Sequence, residues 1–231
     1  MITIISPVYN EESLVLDSYR SIKKEIEKLT ADFEIIFAND GSTDNSKKVM
    51  EYISSIDNKF SYISWDINKG MGFAHRRLYN AAKGDVIIQA DIDLSISPEI
   101  FSRMLGELKS YDVVIASRYQ GIRANLPLKR KIASRIYYCF VRLLFGINVK
   151  DICSGFIAFR RLPVKSVHLR SYKFEIHVEL LYKLVKKGYR IKEIPADFNH
   201  DERHSKFNGF KDSITTLVST LILWKDMVLM G

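Results

Sequence analysis

The sequence predicts an α/β sandwich whose central sheet is mostly parallel. Three observations point to it. Short apolar runs alternate with longer amphipathic stretches throughout the first half of the chain. The runs are continuously apolar, as strands covered by helices on both faces must be. Polar and turn-forming residues then follow the runs, where an α/β sheet collects its ligand-binding groups.

The elements follow in order. Residues 2–6 read as the first strand and 12–29 as the first helix. Residues 33–38 form the second strand, followed by a helix over 44–56 announced by Ser42 and Thr43. The third strand covers 62–65, and Gly70 and Gly72 open a helix over 72–82. Residues 86–90 make the fourth strand. Ser97 and Pro98 then supply an N-cap and an N1 proline for a helix over 98–108. Residues 113–117 form the fifth strand. A polar turn at 121–127 leads into a long apolar and basic helix, 128–145. A strand at 155–159, a helix near 175–187, a strand at 190–194 and a terminal helix from about Asn208 complete the chain. With no repeat and no low-complexity linker, the expected organisation is one domain, residues 1–206, followed by an apolar helix, 207–231.

The 231 residues carry 35 Lys and Arg against 27 Asp and Glu, a net charge of +8. That excess is local. Residues 113–150 hold Arg118, Arg123, Lys129, Arg130, Lys131, Arg135, Arg142 and Lys150 and no acidic residue, while the remainder carries 27 of each sign. An anionic partner is therefore expected for one segment only. Nucleic acid is a poor match, because these cations alternate with large aliphatic residues. Cys139 and Cys153 form no metal-type pair, which suits a reducing compartment. The N-terminus has no basic region ahead of a long apolar run, so no signal peptide is expected. No uncharged apolar stretch is long enough to span a bilayer. A turn lacking G-x-G-x-x-G after the first strand argues against a dinucleotide-binding Rossmann domain.

The strand ends carry the chemistry. Pro7-Val8-Tyr9-Asn10-Glu11 follows the first strand, Asn39-Asp40-Gly41-Ser42 the second, Asp91-Ile92-Asp93 the fourth and Ser117-Arg118-Tyr119 the fifth. Singly, each has a structural explanation as a turn or cap. Together they place acidic and polar groups on one edge. Asp91 and Asp93 are hard oxygen ligands two residues apart, suited to Mg²⁺ or Mn²⁺ that completes its shell from water and substrate phosphates.

These pieces resemble a known family. PVYNEE (7–12), NDGSTDNS (39–46), NKGMGFA (68–74), GDVIIQADIDLS (84–95), DVVIASRY (112–119), DICSGFIAFRR (151–161) and KEIPADF (192–198) occur in order. The chain is similar to family 2 inverting glycosyltransferases, and most resembles dolichyl-phosphate mannose synthases and related polyprenyl-phosphate glycosyltransferases. The resemblance implies a GT-A fold, a Rossmann-like nucleotide-diphospho-sugar transferase sandwich. It also implies roles. Pro7, Tyr9, Glu11 and Asp40 match positions lining the base and ribose pocket. Asp91 and Asp93 match the acidic motif for metal and diphosphate. Arg118, Arg130 and Ser134 match groups that hold an acceptor phosphate. Arg203 and Lys206 resemble a closing loop on the donor diphosphate, shorter here than in the mannose synthases. Ser95 stands where several relatives have Gln, and Asn39 where an Asp is frequent.

The implied activity is metal-dependent transfer of mannose or glucose, from GDP-mannose or UDP-glucose, to a polyprenyl or dolichyl phosphate. The place expected for it is the cytoplasmic membrane face. A phosphate monoester is mostly dianionic at pH 7 and needs no general base, in keeping with the absence of a Ser-His-Asp or Cys-His pattern. In the helix over 128–145, Arg130 and Ser134 lie one turn apart. Lys131, Arg135 and Arg142 share a narrow sector beside a wide apolar face, the pattern of a membrane-interface helix. The segment 214–229 is a second candidate for membrane contact or for a partner helix. Glu179 and His177 are placed near the active-site wall, where either could contact the sugar, with a packing or surface role weighed equally; His200 and His204 read as surface residues. Two alternatives stand beside this reading: a family 2 transferase acting on a sugar hydroxyl, and a non-catalytic nucleotide-binding scaffold attached to a membrane.

Overall fold

A computed structural model describes residues 1–119, 128–197 and 209–229. The chain runs β1 (Ile2–Val8), α1 (Glu12–Glu27), β2 (Phe33–Asp40), α2 (Ser46–Ile56), β3 (Phe60–Trp65), α3 (Met71–Ala81), β4 (Val86–Gln89), a 3₁₀ turn (Pro98–Ile100) and α4 (Phe101–Glu107). It continues through β5 (Val113–Ser117), α5 (Leu128–Phe145), β6 (Ile157–Arg160), α6 (Arg161–Lys165), α7 (Ile176–Lys186), β7 (Ile191–Pro195) and α8 (Gly209–Trp224), which ends in a π-helical turn (Lys225–Leu229).

The described strands form one seven-stranded sheet in the order β3-β2-β1-β4-β6-β5-β7. All neighbours are parallel except β6, which runs antiparallel to both β4 and β5. Its direction follows from where α5 lies. β5 ends and β6 begins at the same edge, the one where the other strands deliver their polar groups.

Side chains alternate across the sheet with the strand period of two. Ile4, Ile35, Phe37, Ile88, Val114 and Ala158 face the layer built from α1, α2 and α4. Ile5, Ile36, Ile87, Val113, Ile115 and Phe159 face α3, α5 and α7. Tyr19, Phe37 and Phe60 pack edge to face on the first side, at centroid separations of 5.3 and 5.1 Å.

The predicted elements are present, with four corrections. The second helix starts at Ser46, not Asp44, because the Asp44 carboxylate serves as a cap: Oδ1 accepts from Ser46 N (2.9 Å) and Oδ2 from Glu12 N (3.0 Å). One carboxylate therefore closes the N-termini of both α1 and α2. The helix predicted over 98–108 divides into the 3₁₀ turn and α4, with Ser97 Oγ accepting from Glu99 N as expected of the cap. The sixth strand starts two residues late, since Gly155 spends its carbonyl on Asp91 N (3.1 Å). The short helix α6 has no apolar period of its own and was not foreseen.

Phe37 is fully buried between the sheet and α1 and α2, whereas Ile56 is 60% exposed at the end of α2. Phe37→Ala is expected to lower unfolding free energy by about 3–5 kcal/mol in urea titration, and Ile56→Ala to change it by less than about 1 kcal/mol.

Candidate active site

At the carboxyl edge of the sheet lies a cleft of about 600 Å³. Its first wall comes from the loops after β1 and β2, which are tied by reciprocal bonds. Asn10, in the left-handed region at φ 54°, donates its N–H to Ser42 Oγ (3.0 Å), while its Oδ1 accepts from Thr43 N (2.7 Å). Glu11 N donates to Ser46 Oγ (2.9 Å), and Asn45 N to Glu12 Oε2 (2.8 Å). This knot holds Pro7, Tyr9 and Glu11 on the cleft beside Asp40.

Asp40 is almost wholly buried, and its carboxylate shapes the loop after β3. Oδ1 accepts from the Trp65 indole (2.6 Å) and from Lys69 N (2.8 Å), and Oδ2 accepts from Gly70 N (2.9 Å). Asn39 donates to Ser64 Oγ (2.9 Å) and accepts from Ser42 N. Three donors converging on one buried carboxylate fix its orientation and, through it, the path of the loop after β3.

The floor is the turn after β4. Asp91 and Asp93 both line the cleft. Leu94, at φ 44°, closes the turn by donating its N–H to the Asp91 carbonyl (3.1 Å), and Ser95 N donates to Asp93 Oδ1 (3.0 Å). The buried Ser18 hydroxyl, on α1, donates to the Ile92 carbonyl. Gly155 must be glycine: a Cβ there would stand 1.9 Å from Asp91 Oδ2. Burial, with the neighbouring Asp93 carboxylate adding to it, raises the Asp91 carboxyl to about 7. Two carboxylates on one turn at the cleft floor fit a divalent cation. No group of three metal-ligating side chains occurs among the described residues, so the remaining ligands would be water and substrate oxygens.

A second cluster sits at the rim, at the end of β5. Arg118 donates from Nε (2.9 Å) and from its backbone N–H (2.8 Å) to Asp151 Oδ2, and from Nη2 to Oδ1 (2.6 Å) and to the Cys153 carbonyl (3.1 Å). Burial opposes the guanidinium charge, but Asp151 outweighs it and raises the pKa of Arg118. Asp151 is buried and is in turn held by its own N–H, donated to Glu193 Oε1 (2.9 Å). The Ser134 hydroxyl reaches the phenol of Tyr119, which puts Ser134 on the same rim as Arg118. Arg118 therefore stands there as half of an ion pair. The Arg130 and Lys131 backbones lie in α5; their side chains, and Arg203, Lys206, His200 and His204 altogether, lie outside the described residues.

For Glu179 and His177 the structure decides between the alternatives in favour of packing. Glu179 does not face the cleft. It is buried, accepts the N–H groups of Arg170 and Ser171 (2.8–3.0 Å) and pairs with Lys183. Burial opposes its charge, but these donors prevail and hold its pKa below the usual range. His177 is also buried, its ring 5.3 Å from that of His75. Both are packing residues, because α7 turns this face to the core. Conversely, Asp151, Glu193, Lys173 and Phe174 join the site or its rim without having been singled out. The one available signal was Asp151, the first acid after the basic window. The remaining wall belongs to α8, through Thr215, Thr216 and Ser219, while Thr220 bonds Tyr137 of α5 (3.1 Å).

Gly155→Ala is expected to displace the Asp91 carboxylate and weaken Mn²⁺ binding about tenfold or more, read by electron paramagnetic resonance of free Mn²⁺. The buried imidazoles give a pH prediction. Burial lowers His75 from 6.5 to about 4, and burial together with His75 and Arg118 lowers His177 to about 3. Below pH 6.5 the unfolded chain takes up protons that the native state refuses, so each histidine reduces stability as pH falls. The stability of wild type relative to His177→Phe should therefore decline by about 1.4 kcal/mol per pH unit below roughly pH 6, in urea titrations.

A family model, "Glycosyl transferase family 2", matches residues 3–167. Among curated relatives, the glycosyltransferase AglD of Haloferax volcanii is 30% identical over 85% of this chain and 33% of its own length. The dolichol-phosphate mannosyltransferase of Pyrococcus furiosus is 30% identical over 90% of this chain and 59% of its own. The chain thus spans less than two thirds of either. Glucosyl-3-phosphoglycerate synthase from Mycobacterium tuberculosis, solved with Mn²⁺, UDP and phosphoglyceric acid, superposes with a TM-score of 0.73 at 18% identity, over 97% of this chain and 78% of that one. At that identity the likeness concerns the fold, which is the GT-A sandwich. With a family model over most of its length and a fold to match, the chain belongs to glycosyl transferase family 2.

Proposed function

We propose that the protein transfers a hexose, mannose or glucose, from a nucleotide-diphosphate sugar to a polyprenyl or dolichyl phosphate, with inversion. The place proposed is the cytoplasmic face of a membrane. The observation that carries this reading is the adjacency of two features. The acidic cleft of Asp40, Asp91 and Asp93 opens beside α5 and α8, whose outward side chains are apolar although the helices belong to a folded edge. Ile132, Ile136 and Leu143 of α5 and Val218, Leu221 and Ile222 of α8 are exposed, Leu143 to 83%. Arg135 and Arg142 are exposed beside them. Such a face suits a headgroup region, where apolar groups enter the acyl boundary and cations meet lipid phosphates. No helix among the described residues is long and apolar enough to cross a bilayer.

In this mechanism Pro7, Tyr9, Glu11 and Asp40 seat the nucleoside, and Asp91 and Asp93 hold Mg²⁺ or Mn²⁺. The ion would supply charge stabilisation for the departing diphosphate. Arg118, Arg130 and Ser134 orient the acceptor phosphate at the rim, opposite the bond that breaks. The Arg118 charge is balanced in place by Asp151. The phosphate oxygen attacks the anomeric carbon as a dianion, the glycosidic bond to the diphosphate breaks, and no proton needs removal. Arg203 and Lys206 close on the diphosphate. The named substrate class of the Pyrococcus relative supports the lipid phosphate as acceptor.

The test is transfer by the purified full chain in vesicles containing a short polyprenyl phosphate, with GDP- and UDP-sugars and Mn²⁺ or Mg²⁺. Lipid-linked sugar is expected with one donor and is expected to vanish on chelation. Asp93→Ala should lower kcat/KM by at least about a hundredfold. A folded protein inactive across the panel overturns the proposal, and preference for a free glycan favours the hydroxyl-acceptor alternative. Ile136→Asp with Leu143→Asp should release the protein from anionic vesicles in sedimentation assays while leaving thermal unfolding nearly unchanged.

A further inference from the structure

The described lining of the cleft is electrostatically one-sided. It contains four carboxylates, Glu11, Asp40, Asp91 and Asp93, and a single cation, Lys173. A nucleoside diphosphate entering such a cleft is itself a polyanion. A divalent ion on Asp91 and Asp93 has its charge balanced by those two ligands, so the diphosphate needs further positive charge nearby.

Lys173 is positioned to supply it. Its side chain crosses Gly70, passing 4.0 Å from where a Cβ of that glycine would stand. Gly70 is the residue whose N–H binds Asp40 Oδ2. The lysine thus stands beside Gly70 on the cleft that Asp40, Asp91 and Asp93 also line. Among the described residues its ammonium makes no ion pair.

The loop bearing it is anchored from three sides. Tyr172 accepts from Gly72 N at 2.8 Å, an approach that a Cβ on Gly70 or Gly72 would obstruct at 2.5–2.6 Å. Glu175 Oε1 accepts from Lys173 N (3.2 Å), and Glu179 accepts from Arg170 N and Ser171 N. The Tyr172 ring stacks 6.5 Å from Phe73, with the Arg76 guanidinium 4.5 Å from its centroid. A buried carboxylate, two glycines and an aromatic stack therefore fix the backbone of one exposed lysine.

We infer that Lys173 is a binding residue for the donor diphosphate, presented by the 168–174 loop; this rests on the transferase reading of the cleft. The test is calorimetric titration of UDP and of GDP, with Mn²⁺, into the full chain and into its Lys173→Met and Lys173→Arg variants. Uridine and guanosine serve as controls, measured by saturation-transfer NMR. Wild type should bind one of the two diphosphates, and failure to bind either overturns the reading of the cleft itself. Lys173→Met should bind that diphosphate roughly tenfold more weakly, bind the nucleoside unchanged and show a flatter salt dependence. Lys173→Arg should retain most of the affinity. Unchanged diphosphate affinity in Lys173→Met overturns the assignment to Lys173 while leaving the transferase reading in place. Equal loss for nucleoside and diphosphate overturns it too, since that is the mark of a displaced loop.

Discussion

Two carboxylates leave the middle of the sheet within three residues of each other, and much of the surrounding structure holds them there. Asp91 and Asp93 repel, and burial raises the proton affinity of Asp91 further. Left to itself, such a turn would protonate or swing into solvent. Gly155 prevents the second by accepting the Asp91 N–H and leaving the carboxylate room, and Ser18 fixes the intervening carbonyl from α1. The antiparallel course of β6 gains meaning here, because it brings Gly155 beside β4.

The rest of the edge answers that local excess of negative charge in graded ways. Arg118 is neutralised in place by Asp151, which makes the rim rigid more than it makes it positive. Lys173 stands in the cleft on an anchored loop. Further out, Arg135 and Arg142 are exposed on α5 among apolar side chains. Positive charge is thus arranged by depth: paired at the rim, presented in the cleft and solvated on the outer helix. The net charge of +8 carries no such information as a total.

Buried polar groups away from the cleft follow a different logic. Glu179 gathers backbone donors of the 168–174 loop and one lysine, and so acts as a clamp. His75 gives its Nδ1 to the Met71 carbonyl and lies against His177 in the core, where burial keeps both rings neutral. Their chemistry serves the placement of α3 and α7 behind the cleft. The sequence left Glu179 and His177 open between sugar contact and a packing or surface role; their surroundings assign them to architecture.

The alternation of apolar runs and helices was legible in the sequence because each is a local pattern with its own period. The convergence of Pro7, Tyr9, Glu11, Asp40, Asp91 and Asp93 was legible for the same reason: in a parallel sheet, residues that follow strands share an edge. Position after a strand therefore carried these walls of the cleft. Three things were decided only by the tertiary structure. Asp151 neutralises Arg118 across 33 residues, and nothing local marks that partnership. Glu179 and His177 turn inward because α7 lies against the sheet, an orientation its own period leaves open where both faces are apolar. The terminal helix α8 forms a cleft wall through Thr215, Thr216 and Ser219, although its sequence reads as a segment for membrane contact or for a partner helix. Each depends on which distant surfaces meet, and contacts of that kind are specified by the packing of the whole chain, not by the spacing of residues along it.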